Sequence, residues 1–432
     1  MAEGVVVSKL TTDGRGLAFI DGKATFIKGA LPTEMVTIKY LKRKRQYDEA
    51  EVVEILTPST ERVVPKCKVF GICGGCSLQH LDSVAQIHHK ELWLRELLER
   101  ADLHPKEWLP PLQKNLWGYR HKARMGVRFV RKKGEVLVGF REAESNFLTN
   151  TERCEILHSG IGEHLQELKQ VLTTLSIKDH IAQIEVAGSD AGVALVFRHM
   201  VPMPSDDLAL IVELAQKHSW FIYLQSGGLE TIQQVYPLDK VDLSYRLPSY
   251  DLSFNFRPQD FTQVNMSLNE TMVQQALALL DLKADDAVLD LFCGLGNFTL
   301  PLARHAKTVI GIEGDVHMTE LAAQNAEHNG IINAKFAMAN LFEPDALQPF
   351  AMKVDKLLLD PPRAGAEAVV RAIKLWDPAR IVYVSCHLST LVRDIEILVK
   401  EQGYVLEKIG VMDMFPHTNH VESMALLTKK LV

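Results

Sequence analysis

Apolar runs alternate with helical patterns through residues 256–432, and this alternation limits the fold more than any other feature of the chain. The runs that have the length of buried strands are Ala287–Leu291, Thr308–Ile312, Ala334–Met338, Lys356–Leu359 and Arg380–Val384. The helical patterns that separate them lie at about 298–306, 315–329, 364–376 and 389–402. Repeated strand–helix–strand units form a parallel sheet with helices on both faces. The sequence therefore predicts an α/β, doubly wound parallel sheet, with any ligand outside the carboxyl ends of its strands.

Two further regions precede this domain. Residues 1–60 contain short alternating strands broken by turn residues, which predicts a small five-stranded β-barrel. Residues 61–255 contain a helical stretch from Asp82 to Arg100, followed mostly by short strands. We therefore expect three domains, at 1–60, 61–255 and 256–432.

Four of the six cysteines are grouped in a pattern typical of a metal site. Cys67, Cys73 and Cys76 lie in the motif Cys-x5-Cys-Gly-Gly-Cys, and Cys154 is a distant fourth member. The chain has no apolar run long enough to cross a bilayer and no signal-peptide pattern, so we expect a cytoplasmic protein whose thiols are reduced. Clustered, reduced cysteines favour metal ligation, and four thiolates suit either zinc or a [4Fe–4S] cluster.

The charge of the chain is distributed unevenly. The net charge is −6, yet residues 114–133 contain eight lysines or arginines and no acidic residue, with aromatic side chains between them. A second basic run lies at Lys39–Arg45. A single run of this kind is usually a solvated surface, but two runs with interleaved aromatic residues are also typical of a nucleic-acid interface. We expect Arg120, Lys122, Arg124 and Arg141 to contribute to such a surface.

A glycine-rich turn, residues 290–298, follows the first strand of the parallel sheet. Thr299 stands where a dinucleotide-binding motif has its third glycine, which weakens an NAD interpretation. Glu313 ends the next strand, where a carboxylate can bind both hydroxyls of a ribose. The glycines alone would fit an ordinary strand-to-helix turn, but with Glu313 and the Asp360-Pro-Pro-Arg363 loop they favour S-adenosylmethionine.

Cys386 follows an apolar run and is predicted to lie at the same edge of the sheet as the glycine-rich turn. Most lone cysteines are small buried hydrophobic residues, but a helix begins just after this one, and a helix N-terminus favours a thiolate. Glu422 lies in a segment predicted to return to this edge, where it could also be a solvated loop charge. Cys293 is not the candidate nucleophile, because the cofactor occupies its turn.

A thiolate, a methyl donor and a carboxylate together allow one specific reaction. Carbon 5 of uracil is too weak a nucleophile to attack a sulfonium methyl group unaided. Addition of the Cys386 thiolate to carbon 6 would give carbon 5 enolate character, and carbon 5 could then accept the methyl group. Glu422 would remove the proton from carbon 5, so that elimination releases the cysteine.

Five segments of the chain resemble the RNA 5-methyluridine methyltransferases, which carry a class I methyltransferase domain. The segments are Phe256–Asn265, Asp290–Phe298, Asp360–Gly365, Ser385–Cys386 and His420–Glu422. Residues 1–60 resemble the TRAM domain, an RNA-binding barrel, and the four-cysteine pattern is similar to that family's iron–sulfur site. These two additions imply the branch of the family that acts on 23S ribosomal RNA, with relatives that modify tRNA as the alternative.

The resemblance also implies roles for individual residues. It assigns S-adenosylmethionine contacts to Gln263, Phe292, Asn297, Glu313, Asn340 and Asp360. It assigns the nucleophile to Cys386, the base to Glu422, and a [4Fe–4S] cluster to Cys67, Cys73, Cys76 and Cys154, with zinc as the weaker alternative. His387-Leu388 departs from the family, whose members often have Asn-Pro after the nucleophile.

Other classes of function remain open at this point. A cytosine-5 methyltransferase usually has its nucleophile beside the proline of the fourth-strand loop, and Asp360-Pro-Pro-Arg363 contains no cysteine. An RNA-binding assembly factor with a vestigial methyltransferase fold would not need Cys386, Glu422 and Glu313. An iron–sulfur redox protein would give Glu422 no role. We expect 23S ribosomal RNA as the partner, no membrane association and no obligate protein partner.

Overall fold

The computed structural model describes residues 1–430, so that residues 431 and 432, at the end of the predicted third domain, lie outside the described residues. The first six strands are β1 (Ala2–Val6), β2 (Lys9–Leu10), β3 (Gly16–Ile20), β4 (Lys23–Lys28), β5 (Met35–Arg43) and β6 (Tyr47–Thr57). They form one sheet in the order β1-β5-β6-β4-β3-β2, in which only β4 and β6 are parallel. The sequence predicted five strands, but the two-residue β2 is too short to give an alternating pattern. Ile27, Val36 and Ile38 form the buried centre of this sheet.

A long helix, α1 (Ser83–Arg100), follows the cysteine-containing segment. It begins where predicted, because the Asp82 side chain accepts hydrogen bonds from the backbone N–H groups of Val84 and Ala85. The buried face of α1 packs into the same hydrophobic core as the C-terminal sheet. The short strand β7 (Glu107–Trp108) also belongs to that sheet and forms one of its edges. Part of the segment 61–255 is therefore attached to the last domain.

A second six-stranded sheet lies in the middle of the chain, in the order β13-β12-β11-β10-β8-β9. Its strands and helices are β8 (Lys122–Val130), β9 (Glu135–Gly139), α2 (Ser159–Gly162), α3 (Leu165–Thr174), β10 (Ile181–Ser189), β11 (Gly192–His199), α4 (Ser205–His218), β12 (Trp220–Gln225) and β13 (Gln233–Tyr236). The hairpin of β14 (Leu243–Leu247) and β15 (Leu252–Phe256) connects this sheet to the last domain.

The C-terminal domain contains the predicted parallel sheet. Its elements are α5 (Met266–Leu280), β16 (Ala287–Leu291), α6 (Thr299–Ala303), β17 (Thr308–Glu313), α7 (Val316–His328), β18 (Ala334–Met338), α8 (Pro344–Leu347), β19 (Lys356–Leu359), α9 (Glu367–Arg371), β20 (Arg380–Ser385), α10 (Leu388–Lys400), β21 (Tyr404–Met412) and β22 (Glu422–Lys429). The helix predicted at 364–376 is in fact α9 followed by a 3₁₀ turn at Ile373–Leu375.

The order of the eight strands in the C-terminal sheet determines where a ligand-binding crevice can form. Strands run β18-β17-β16-β19-β20-β22-β21-β7, and β16 to β20 are mutually parallel. The chain order reverses at β16, which pairs with β17 on one side and β19 on the other, so that a crevice opens at the carboxyl ends of these strands. β22 is antiparallel to β20, a pairing that the strand–helix alternation did not predict. Within residues 1–430, no helix has both the length and the apolar character that a membrane span requires.

Candidate active site

A cavity of about 1340 Å³ lies at the carboxyl ends of the parallel strands. All the residues that the sequence predicted as cofactor-binding or catalytic line it, namely Gln263, Phe292, Asn297, Glu313, Asn340, Asp360, Cys386 and Glu422. These residues are spread over more than 150 positions of the chain, from Gln263 to Glu422, so only the fold brings them together. The volume is large enough for a cofactor and part of a second substrate.

The turn after β16 is shaped by residues with positive φ. Gly294 and Gly296 have φ of 55° and 96°, a conformation that glycine adopts without the steric cost of a Cβ atom. The N–H of Gly294 donates to Glu313 Oε2 at 3.0 Å, which ties the turn to the end of β17. The other carboxylate oxygen of Glu313 accepts from the N–H of Gly314 at 2.7 Å. The predicted ribose-binding carboxylate is thus held at the floor of the cavity by backbone groups.

Two aspartates lie at the ends of the central strands: Asp290 is fully buried, and Asp360 is partly buried and lines the cavity. Burial raises the pKa of Asp290 to about 8, against the hydrogen bond of 2.5 Å that Thr299 Oγ1 donates to its Oδ2 atom. Among residues 1–430, Asp290 Oδ1 has no hydrogen-bond partner. Burial and the nearby charge of Glu313 raise the pKa of Asp360 to about 7. A cationic ligand would stabilise the ionised form of both carboxyl groups.

The two predicted asparagines are oriented by other side chains. Asn297 Oδ1 accepts from the Tyr245 hydroxyl and from Asn269 Nδ2, each at 2.8 Å, and Asn297 Nδ2 donates to Asn269 Oδ1 at 2.9 Å. Asn340 Nδ2 donates to Glu343 Oε1 at 2.7 Å. The Asn297 amide is therefore fixed in one orientation by neighbours that the sequence analysis did not identify.

The pairing of β20 with β22 brings the candidate nucleophile and base together. Ser385 is paired with Ser423, and the same antiparallel register carried one residue further places Cys386 opposite Glu422. Both residues line the cavity, and the Glu422 charge is close enough to contribute to the raised pKa of the Cys386 thiol. Glu422 is the first residue of β22 and is buried, so the alternative of a solvated loop charge is wrong.

The predicted effect of the helix N-terminus on Cys386 is not what the structure shows. Burial, together with the charges of Glu422 and Asp360, raises the pKa of the Cys386 thiol to about 12. α10 does begin two residues later, at Leu388, but desolvation and two carboxylates outweigh its dipole. The Cys386 thiol is therefore protonated at neutral pH in the free protein, and binding of substrates has to favour the thiolate.

The positive charge of Arg363 opposes the rise in the pKa of both Cys386 and Glu422. Burial raises the pKa of Glu422 well above its ordinary value, whereas the Arg363 charge lowers it, as it also lowers the pKa of Cys386. Arg363 Nη2 lies 3.2 Å from His420 Nδ1, and both side chains line the cavity. Burial and Arg363 lower the pKa of His420 to about 4, so that its ring is neutral. Arg363 lies in the segment Asp360–Gly365 and His420 in the segment His420–Glu422, but the sequence does not indicate that their side chains are in contact.

The four grouped cysteines lie around a separate, small cavity of the central region. None of them forms a disulfide bond. Burial is the main cause that raises the pKa of Cys76 to about 12 and of Cys154 to about 11. Elsewhere in the central region, His164, Glu167 and His218 form a group whose ligand atoms all lie within 4.8 Å of one another.

The basic residues expected to face RNA differ in their environment. Lys122 does not fit the expectation, because its ammonium group donates to the Pro258 carbonyl and burial lowers its pKa to about 8. Arg124 is largely exposed and pairs with Glu185 at 2.9 Å. Arg141 is exposed and donates to Asn146 Oδ1 at 3.0 Å. The basic run at Lys39–Arg45 extends along β5, where three of its lysines pair with glutamates of β6.

Comparisons with known proteins agree on one family. The family described as tRNA (Uracil-5-)-methyltransferase matches residues 118–430. A 23S rRNA (uracil(1939)-C(5))-methyltransferase RlmD from Legionella pneumophila (strain Paris) is 48% identical over 427 residues, covering 98% of this chain and 96% of the relative. The protein of that name from Francisella tularensis subsp. novicida is 46% identical over 440 residues, covering 99% and 98%.

A solved structure shares the fold over the whole chain. It is the crystal structure of the Pyrococcus abyssi tRNA (uracil-54, C5)-methyltransferase in complex with S-adenosyl-L-homocysteine. The TM-score is 0.76 at 23% sequence identity, and 99% of each chain is covered. At this identity the likeness concerns the fold alone.

Proposed function

Since this chain belongs to the tRNA (uracil-5-)-methyltransferase family, we propose that it methylates carbon 5 of a specific uridine in 23S ribosomal RNA. The substrate class rests on relatives that are 46–48% identical over nearly the whole chain and carry that activity in their names. The observation that carries the chemistry is the strand register that places Cys386 opposite Glu422 in the cavity of the glycine-rich turn.

S-adenosylmethionine supplies the methyl group, and the acidic residues of the cavity fit it. Its positive charge favours the ionised forms of Asp360, which lines the cavity, and of Asp290 behind it, whose pKa values are raised by burial and by nearby carboxylates. The Glu313 carboxylate lines the cavity and provides acceptors next to the glycine-rich turn. Gln263, Phe292, Asn297 and Asn340 would complete the cofactor-binding set.

Cys386 and Glu422 divide the reaction on the uracil between them. The Cys386 thiolate would form a bond to carbon 6, which makes carbon 5 nucleophilic enough to take the methyl group as the bond between that group and the cofactor sulfur breaks, leaving S-adenosylhomocysteine. Glu422 then accepts the proton of carbon 5, and the electron pair of that C–H bond restores the C5–C6 double bond as the Cys386 sulfur leaves. Arg363 favours the ionised state of both residues, which each step requires.

The RNA has to present its uridine unstacked. Extruding a base from a folded RNA costs a few kcal/mol, which contacts to the backbone must offset. Arg124 and Arg141 are exposed cations on the central region that could contact phosphates. Residues 1–60 would add a basic β surface of the TRAM type, although several of its lysines are already paired with glutamates.

Cys67, Cys73, Cys76 and Cys154 would hold a [4Fe–4S] cluster. Zinc ribbons usually pair two Cys-x2-Cys units, whereas here one such unit is joined by Cys67 and the distant Cys154, which favours the cluster over zinc. The reaction transfers no net electrons, which favours a structural role for the cluster.

Methyl transfer to defined RNAs tests this proposal. The full chain is incubated with S-adenosylmethionine carrying a labelled methyl group and with either 23S ribosomal RNA or tRNA, each transcribed without modifications. We expect labelled 5-methyluridine in the ribosomal RNA, and none with Cys386→Ala. Label in tRNA alone would move the substrate to the tRNA branch of the family, and binding of RNA without methyl transfer would favour an assembly factor.

A further inference from the structure

The loop between β21 and β22, residues 413–421, is held by parts of the chain outside the methyltransferase domain. We call it the base loop, because it leads directly into Glu422. Two of its side chains, Phe415 and His420, line the large cavity. His420 also contacts Arg363, whose charge favours ionisation of Glu422. The position of the base loop therefore affects the surroundings of the candidate base.

His417 is the residue at which the base loop is held most closely. Its φ of 66° lies in the left-handed region, which is costly for a residue with a Cβ atom and persists only where contacts hold it. Gln86 of α1 provides two of these contacts, since its Oε1 accepts from the His417 N–H at 2.8 Å and its Nε2 lies 3.1 Å from His417 Nδ1. The ring of Trp117 stacks on the imidazole at a centroid distance of 3.8 Å.

The cysteine segment contacts the same residue directly. The backbone N–H groups of Ser77 and Leu78 both donate to the His417 carbonyl oxygen at 2.9 Å. Ser77 is the residue after Cys76, so one peptide bond separates a cysteine of the small cavity from a hydrogen bond to the base loop. Gln86 also binds the Leu78 and Leu81 carbonyls through its Nε2 atom, at 3.1 and 2.8 Å. Ser77, Leu78 and Gln86 are thus connected to His417 by one set of hydrogen bonds, and Cys76 is joined to that set through its peptide bond to Ser77.

Further anchors act along the rest of the base loop. Lys90 donates to Asp413 at 2.6 Å and to the Phe415 carbonyl at 3.2 Å, and the Tyr119 hydroxyl donates to the Pro416 carbonyl at 3.0 Å. None of Gln86, Lys90 and Tyr119 lines the large cavity. Their influence on the reaction can therefore come only from where they hold the base loop.

We propose that Gln86 and the backbone that follows Cys76 position the base loop through His417, so that the four-cysteine segment sets the geometry of proton removal from carbon 5. The proposal rests on the function proposed above and assigns Gln86 a positioning role. Cys386 directly follows β20, and the predicted cofactor-binding residues lie in other segments of the chain, outside the base loop. The addition and methyl-transfer steps therefore do not depend on the base loop in the same way. Loss of the Gln86 contacts should therefore slow the last step, in which the proton leaves carbon 5 and Cys386 is released, more than the earlier steps.

Single-turnover experiments separate these steps. With ordinary uridine RNA, a slow last step leaves methylated RNA covalently bound to Cys386, which is visible as an adduct on a denaturing gel. With 5-fluorouridine RNA the last step is blocked, so the rate of adduct formation reports only the addition and methyl transfer. The full chain is compared as wild type, Gln86→Leu and Gln86→Glu, of which the last keeps the acceptor for the His417 N–H. Thermal unfolding is measured for each variant.

For Gln86→Leu we expect adduct formation on 5-fluorouridine RNA within about two-fold of the wild type, and decay of the ordinary adduct slowed about ten- to a hundred-fold. For Gln86→Glu, the decay rate of the ordinary adduct should lie between those of the wild type and Gln86→Leu. Tyr404→Phe is the matched control, because it removes a buried hydrogen bond to the Pro378 carbonyl without touching the base loop, and it should behave as the wild type. If Gln86→Leu slows both reactions equally, or neither, the proposal is wrong.

A second variant tests the link to the cysteines. Cys154 is far from the base loop in sequence and can affect it only through the four-cysteine site, so Cys154→Ser should also accumulate the adduct. Combined with Gln86→Leu it should add little, because both changes release the same contact. A Cys154→Ser protein with the wild-type adduct decay would refute the role of the cysteine segment. If the wild type forms neither adduct nor 5-methyluridine, the proposed function fails instead.

Discussion

The buried ion pair between Lys90 and Asp413 gives a quantitative prediction. Both side chains are fully buried, and their charged atoms lie 2.6 Å apart. With an effective dielectric constant of about 20, two charges at that distance attract each other by about 6 kcal/mol. Removing two ions from water costs several kcal/mol each, so the pair as a whole contributes little net stability. Removing one partner, in contrast, leaves the other charge buried.

We therefore expect Lys90→Met to lower the free energy of unfolding by about 3–5 kcal/mol. Gln113 alone would remain as a partner of Asp413, at 3.0 Å from its second oxygen. The double variant Lys90→Met/Asp413→Leu should recover most of that loss, because no charge is left buried.

Equilibrium urea unfolding, followed by circular dichroism and tryptophan fluorescence, measures both variants. Trp93 lies on α1, three residues after Lys90, and is one of five tryptophans that contribute to the fluorescence. The reasoning is refuted if Lys90→Met costs less than about 1 kcal/mol, or if the double variant is as unstable as the single one.

The remaining predictions concern the cofactor, the cluster and the RNA. S-adenosylmethionine should bind more tightly as the pH rises from 6 to 8 and should displace protons, because Asp360 and Asp290, with pKa values of about 7 and 8, ionise on binding. Calorimetry in buffers of different ionisation enthalpy measures this, and equal affinity at both pH values would contradict it. The purified wild type should carry iron and sulfide that Cys154→Ser loses, as metal analysis would show; a zinc content in their place would contradict the cluster. Affinity for RNA should fall steeply between 50 and 200 mM salt, and a flat salt dependence in a filter-binding assay would exclude a phosphate-contacting surface.

The inner strands of the parallel sheet were predictable because they are short, apolar and largely buried, as in β19 and β20, whereas β18 at the edge is partly exposed. The residues predicted for the cofactor come from local motifs at strand ends, and they meet because parallel strands end at one edge. The strands and the cofactor motifs could therefore be predicted from local sequence alone, without knowing which distant segments are in contact.

The rest depended on pairings between distant parts of the chain. Nothing in the local pattern indicates that β22 pairs with β20 in the register that places Glu422 opposite Cys386. The contact of Gln86 with His417 joins residues 331 positions apart. The direction of the Cys386 pKa shift was also missed, because burial by distant segments outweighs the local helix N-terminus.

The most direct test of the proposed chemistry uses RNA from 23S ribosomal RNA with 5-fluorouridine at the target position. Fluorine on carbon 5 cannot leave as a proton, so the reaction should stop as a methylated, covalent protein–RNA adduct. We expect this adduct with the wild type in the presence of S-adenosylmethionine and none with Cys386→Ala. An adduct that persists in Cys386→Ala, or its absence from a wild-type protein that still binds the RNA, would contradict the assignment of Cys386 as the nucleophile of a uridine-5 methyltransferase.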